Sequence, residues 1–167
     1  MSVERTTLGG DLQISRILTG LWQIADMERG GRELDPAVAA QAMQPYVDAG
    51  LTTFDMADHY GSSEVIAGHF RTRHPDTPVQ LLTKWVPDPG RRSKAEVRAA
   101  VERALERTRS DAVDLLQFHA WRYSDPGWLD CMFELEELRK EGLIRHLGVT
   151  NYDTAHLAML LHTGIPI

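Results

Sequence analysis

The sequence predicts an α/β fold built on a parallel sheet, and three observations carry that prediction. Five apolar stretches recur along the chain: RILTGLWQ, LTTFD, VQLLTKW, AVDLLQFHAW and LIRHLGVTN. Each is apolar on both faces, as a strand covered on both sides must be. After each comes a segment with the apolar period of an amphipathic helix, so right-handed crossovers join neighbouring parallel strands. Two architectures satisfy this pattern, an open doubly wound sheet or part of an eightfold barrel. A dinucleotide-binding open sheet would show a G-x-G-x-x-G turn after an early strand, and the sequence has none.

The elements can be justified in order. TTLGGDLQIS reads as a short hairpin around Gly9 and Gly10. Behind the first strand, RILTGLWQ, a helix is predicted from Asp35 to about Ala49. Asp35 is its N-cap, Pro36 its first residue and Gly50 its stop. Pro45 lies inside that helix, which predicts a kink or a later start. LTTFD is followed by the helix SSEVIAGHFRTR, and VQLLTKW by SKAEVRAAVERALERTR. The latter opens on Ser93 and Glu96, the spacing of a capping box, and aligns Val97, Val101 and Leu105 on one face. AVDLLQFHAW leads to WLDCMFELEELRKEG, stopped by Gly142, and LIRHLGVTN leads to DTAHLAMLLHTG, capped by Asp153.

The 167 residues are 43% hydrophobic and 25% charged, which fits a single globular domain over 1–167. A net charge of −6 without a Lys/Arg run argues against nucleic-acid and anionic-membrane partners. The single cysteine, Cys131, has no internal disulfide partner and reads as a small core residue. The first residues lack the apolar core of a signal peptide, and no apolar run reaches the ~18 residues of a membrane span. A cytoplasmic location is therefore expected.

Chemistry gathers where the strands end. Asp55 closes the second strand, Lys84 falls at the end of the third, His119 of the fourth and Asn151 of the fifth. In parallel βα folds the C-terminal strand ends face one rim, where active sites are built. Tyr60 follows Asp55 by five positions. A phenol with a pKa near 10 is a poor acid at neutral pH, but an adjacent ammonium stabilises its phenolate. A carboxylate paired with that ammonium holds it in place. Tyr60, Lys84 and Asp55 can thus form a tuned general acid, and His119 can fix the oxygen that is protonated. No nucleophile stands beside a base, and no histidine or cysteine spacing suits a metal. A proton donor facing a polarised oxygen suits carbonyl reduction or its reverse. Trp22, Trp85 and Trp121, at or just past strand ends, plug the rim or line a substrate pocket; we take them as pocket residues. His59 reads as a loop residue at the pocket edge, and Glu64 as an acid favoured by the helix N-terminus it opens.

FDMADHYGSSE resembles the signature segment of the aldo-keto reductases, with its strand-end Asp, Tyr-Gly and Glu. LLTKW resembles that family's lysine strand, LLQFHAW its histidine strand, and LGVTNY its G-V-S-N-[FY] segment with Thr in place of Ser. The matches come in family order from GLWQ to TNY. The resemblance implies a TIM (β/α)8-barrel, of which this chain holds a hairpin and about five βα units. It implies Tyr60 as proton donor, Lys84 and Asp55 as its tuning pair, and His119 as the residue that orients the carbonyl. Thr150 and Asn151 would contact the nicotinamide carboxamide of NADPH, with NADH as a second possibility, and a small aldehyde or ketone would be the substrate.

A whole barrel takes about 250 residues, and the family's main grip on the cofactor's adenosine and phosphates lies beyond the fifth unit. Two functions are therefore expected in competition. One is a carbonyl-reducing enzyme of which this is the catalytic half. The other is a non-catalytic or regulatory reductase-like module, or an inactive fragment. The first and fifth strands would be open sheet edges, which predicts self-association or instability of the chain alone.

Overall fold

The computed structural model describes residues 3–25 and 34–167. Strands β1 (Arg5–Leu8) and β2 (Leu12–Ser15) form the expected antiparallel hairpin, with Leu8 opposite Leu12. Its turn runs through Gly9 and Gly10, both at positive φ. The other five strands are β3 (Thr19–Gly20), β4 (Thr53–Asp55), β5 (Gln80–Trp85), β6 (Val113–His119) and β7 (Ile144–Thr150). They make one parallel sheet in the order β3-β4-β5-β6-β7. A doubly wound sheet reverses its strand order at a switch point, whereas this order is sequential, as in a barrel wall. Right-handed crossovers then put the helices on one side of the sheet.

Burial follows that sidedness. In β6, Asp114, Leu116 and Phe118 are buried, while Leu115, Gln117 and His119 on the other face are only partly covered. The helix-facing side meets α3 (Ser63–Arg73), α4 (Lys94–Thr108) and α5 (Gly127–Lys140) in two cores. One is centred on Phe54, Met56, Ile66 and Phe70, and the other on Val97, Leu116, Met132 and Leu135. Cys131 belongs to the second core, where burial pushes its thiol up to about 11. Ile144 and Leu147, which flank the β7 edge, are buried rather than displayed.

The hairpin closes the N-terminal end of the sheet. Arg5 donates to Thr52 Oγ1 and Gln80 Oε1, each at 3.0 Å. The Ser15 amide donates to Thr53 Oγ1, and His146 Nε2 lies 3.0 Å from Asp11 Oδ1. All of these partners lie at the starts of β4, β5 and β7, so the opposite rim is left open.

The caps fall where the residues dictate. Asp35 accepts from the Ala37 and Val38 amides, Ser93 and Glu96 form a reciprocal capping box, and Asp153 accepts from the His156 amide ahead of α6 (Thr154–Leu161). The predicted helix over residues 35–49 is broken into α1 (Pro36–Ala39), a 3₁₀ turn (Ala40–Met43) and α2 (Gln44–Asp48). Pro45 sits in the first turn of α2, where its missing N–H costs nothing. The first strand is shorter than RILTGLWQ suggests. Only Thr19 and Gly20 pair with β4, with the Leu21 amide donating to Asp55 O, and Ile17 and Leu18 remain exposed. An apolar run becomes strand only as far as a neighbour lies alongside, and β4 itself is three residues long.

Candidate active site

Strand alternation decides which side chains reach the open rim. Thr83 and Trp85 face the helices, so Lys84 between them faces the interior. There its Nζ lies 2.8 and 2.7 Å from the two Asp55 carboxylate oxygens and 2.8 Å from Met56 O. An ammonium has three donors, and these three acceptors account for all of them. Both side chains are largely covered, which strengthens the pairing relative to water.

Tyr60 arrives on the turn after β4. The Asp58 amide donates to Lys84 O and the Tyr60 amide to Ala57 O, and this folds the loop back over the end of β5. Lys84 Nζ consequently lies 5.0 Å from the Tyr60 ring centroid, within cation–π range. Trp22 meets the Tyr60 ring edge-on at 4.7 Å and His59 meets it at 4.8 Å.

His119, the last residue of β6, completes the group. Its ring is 6.4 Å from His59 and 4.4 Å from Trp121, centroid to centroid. Both ring nitrogens are buried, and neither has a hydrogen-bond partner among the described residues. Such groups are rare in folded proteins and point to a missing partner. Burial, and then the nearby His59 and Lys84 charges, hold the imidazole below its ordinary pKa. At neutral pH it is therefore uncharged, with one nitrogen a donor.

Thr150 stands opposite His119 on β7. Asn151 follows at φ 65°, a left-handed conformation that Asn tolerates. Two bonds hold it there: its Nδ2 donates to Ala120 O at 2.7 Å, and Tyr123 Oη donates to Asn151 O at 2.6 Å. With Nδ2 engaged, Oδ1 is the side-chain atom left to accept from a carboxamide, so the residue fits the expected nicotinamide contact.

Asp55, Tyr60, Lys84, His119, Thr150 and Asn151 are thus all at one rim, with Trp22 and Trp121 beside them. Trp85 is not. It is 7% exposed, pairs with Phe118 at 5.6 Å between ring centroids and packs in the helix-side core. The expectation that it lines a pocket is corrected by the alternation that sends Lys84 inward. His59 lies in the loop at the edge of the site, where its reading as a pocket-edge residue expects it. Tyr123 was missed, since nothing in the sequence marks a contact between residues 28 apart. No grouping of His, Cys, Asp and Glu suited to a metal occurs among the described residues. No helix among them is long and apolar enough to cross a membrane.

This combination of rim and strand order defines a class, and the comparisons agree with it. Residues 16–167 match the Aldo/keto reductase family, and the chain belongs to that family. It is 30% identical over 175 residues to the uncharacterized oxidoreductase YcsN of Bacillus subtilis, covering 95% of this chain and 56% of that protein. It is 29% identical over 168 residues to a 6-dehydroglucose reductase of Novosphingobium aromaticivorans, covering 90% and 52% respectively. The NADH-specific methylglyoxal reductase of Escherichia coli is 26% identical over 175 residues, covering 92% and 53%. The chain thus spans about half the length of the curated relatives it matches. Among solved structures, the holo aldo-keto reductase of Bacillus halodurans superposes with a TM-score of 0.75 at 25% identity, covering 96% of this chain and 54% of that one. The aldo-keto reductase of Bombyx mori in complex with NADP gives 0.75 at 18%, covering 97% and 55%, a likeness of fold alone.

Proposed function

We propose that this chain carries the catalytic residues of a nicotinamide-dependent reductase that converts an aldehyde or ketone to an alcohol. The observation that carries the proposal is His119, a neutral imidazole whose two buried ring nitrogens have no hydrogen-bond partner among the described residues, at the rim that holds Tyr60 and the Lys84–Asp55 pair. A carbonyl oxygen is the acceptor such an imidazole lacks. When bound, a reduced nicotinamide supplies the hydride that reaches the carbonyl carbon. The Tyr60 hydroxyl gives its proton to the carbonyl oxygen and is left as phenolate, which regains a proton from solvent. His119 donates a hydrogen bond to the same oxygen and fixes its direction. Lys84, held by Asp55, sets a positive charge beside the ring in which negative charge develops. Thr150 and the Asn151 Oδ1 would hold the carboxamide, and Trp22 and Trp121 would flank a small carbonyl substrate. We read NADPH as the cofactor, with NADH as the alternative.

We also infer that the sheet edges β3 and β7 govern whether this chain acts by itself, because uncovered edge strands pair with other chains. Oxidation of NADPH and NADH by the purified protein, followed against a panel of aldehydes and ketones with light scattering in parallel, tests the proposal. Carbonyl-dependent oxidation that His119→Ala abolishes is the expected result in whichever assembly is active. Cofactor oxidation that proceeds equally without a carbonyl would reject it.

A further inference from the structure

Behind the rim, on the helix side of the sheet, lies a charge pair that the reaction does not touch. Glu64, in the first turn of α3, is 2% exposed. Its Oε1 accepts from Thr83 Oγ1 at 2.6 Å and its Oε2 from Arg107 Nη1 at 3.1 Å. The same Arg107 nitrogen donates to Asp58 O, also at 3.1 Å. One guanidinium thus joins three pieces of the site's mounting: the end of α4, the start of α3, and the loop between β4 and α3 that bears Tyr60. Thr83, the fourth member, directly precedes Lys84.

Arg107 is itself firmly anchored. A Cβ at Gly68 would stand 2.1 Å from the Arg107 carbonyl oxygen, so glycine is required for α3 and α4 to approach this closely. Around that contact Arg109 Nη1 donates to Thr72 Oγ1, and Arg71 donates to Ser110 Oγ. Asp58 is gripped at its other end as well, since its Oδ2 accepts from the Val86 amide just past β5.

We propose that Arg107 and Glu64 are positioning residues, a clamp that holds the Asp58 carbonyl and thereby the placement of Tyr60 over Lys84. The functional half of this proposal rests on the reading of Tyr60 as the acid; the structural half does not. Helix-terminus electrostatics alone fail to explain Glu64. A carboxylate at an exposed helix start gains from the dipole at no desolvation cost, whereas this one is buried, and burial raises its pKa above the ordinary carboxylate value. An ion pair with one partner buried and the other half-buried loses hydration that its attraction need not recover, so such a pair is often no more stabilising than neutral or apolar side chains of the same shape. Its retention is explained by the directional contact with the loop.

The test is amide hydrogen exchange on the intact protein and its Arg107→Met, Arg107→Lys and Glu64→Gln variants, together with thermal midpoints and turnover. The Asp58, Tyr60 and Ser63 amides report the loop, and those of β5 and β6 report the sheet. For Arg107→Met we expect loop exchange about tenfold faster with sheet exchange unchanged, because loops open locally and independently of the core. Arg107→Lys should recover part of the protection, and Glu64→Gln should loosen the loop without lowering the midpoint. Turnover should fall at an unchanged KM for cofactor. A uniform rise in exchange with a lowered midpoint would make the pair merely structural and overturn the proposal, as would a loosened loop with unaltered turnover. Tyr60→Phe separates the two layers. If it retains full turnover, the reading of the acid fails, while the exchange result still decides whether the clamp exists.

Discussion

Lys84 directs all three of its ammonium hydrogens at fixed acceptors, two of them the carboxylate oxygens of Asp55 at 2.7 and 2.8 Å and the third the Met56 carbonyl oxygen. It therefore acts on Tyr60 through its field, from 5.0 Å off the ring centroid. The carboxylate decides where that charge sits.

Asp55→Asn should accordingly release Lys84. The charge loses its partner, and one of the two acceptor oxygens is replaced by an NH2 donor that cannot accept from the ammonium. A folded but less stable protein is expected, by roughly 2 kcal/mol for a partly covered charged hydrogen-bond pair, with turnover reduced and cofactor affinity maintained. Denaturant unfolding alongside steady-state kinetics checks it. Unchanged stability and turnover would mean that Asp55 has no part in holding the lysine.

His119 should titrate below the ordinary histidine pKa of about 6.5, because burial and then the His59 and Lys84 charges disfavour its protonated form. The sign for stability follows. A depressed folded-state pKa gives a contribution that is present above the ordinary value and lost as the pH falls through the folded value, since the unfolded chain takes the proton first. NMR titration of the imidazole measures this directly. His59→Gln should move the midpoint upward, and a His119 midpoint at or above the ordinary value would contradict the neutral donor.

Glu64 has the opposite sign. Its folded-state pKa is raised, chiefly by burial, so its contribution is present below the ordinary carboxylate value and is lost as the pH rises through the folded value. At pH 7, Glu64→Gln should match or exceed the parent in thermal midpoint, and the gain should vanish toward pH 4, a window set by the ordinary carboxylate pKa of about 4.3. Melting curves at both pH values suffice, and a variant much less stable at pH 7 would refute the sign.

Trp85 and Trp121 should part company. Trp85→Ala empties a buried site between β5, β6 and the helices, and a loss of about 3–5 kcal/mol is expected. Trp121 is 57% exposed, so its replacement by Ala should change stability by under about 0.5 kcal/mol while altering KM for the carbonyl. Paired melting and kinetic measurements distinguish a core tryptophan from a rim tryptophan.

That contrast shows where reading the sequence succeeds. The βα alternation, the caps at Asp35, Ser93 and Asp153, and the strand ends at Asp55 and His119 all follow local rules, and each lies where its residues point. Trp85 was misplaced because a strand apolar on both faces leaves its facing undecided until Lys84 is known to be drawn inward by Asp55. The engagement of Glu64 by Arg107, 43 positions away, and of Asn151 by Tyr123, 28 away, depends on crossovers that bring distant segments together. The short β3 has the same origin, since pairing length belongs to the neighbour as much as to the strand.

The most direct measurement is turnover of Tyr60→Phe, with cofactor affinity determined on the same sample. The phenol and phenylalanine rings have the same shape, so the packing against Trp22 and His59 survives and only the hydroxyl, with its proton, is removed. Carbonyl reduction should fall by about 10²–10⁴, the range for loss of a general acid, with cofactor binding unchanged. A Tyr60→Phe protein that reduces carbonyls at the parent rate would show that the proton comes from elsewhere.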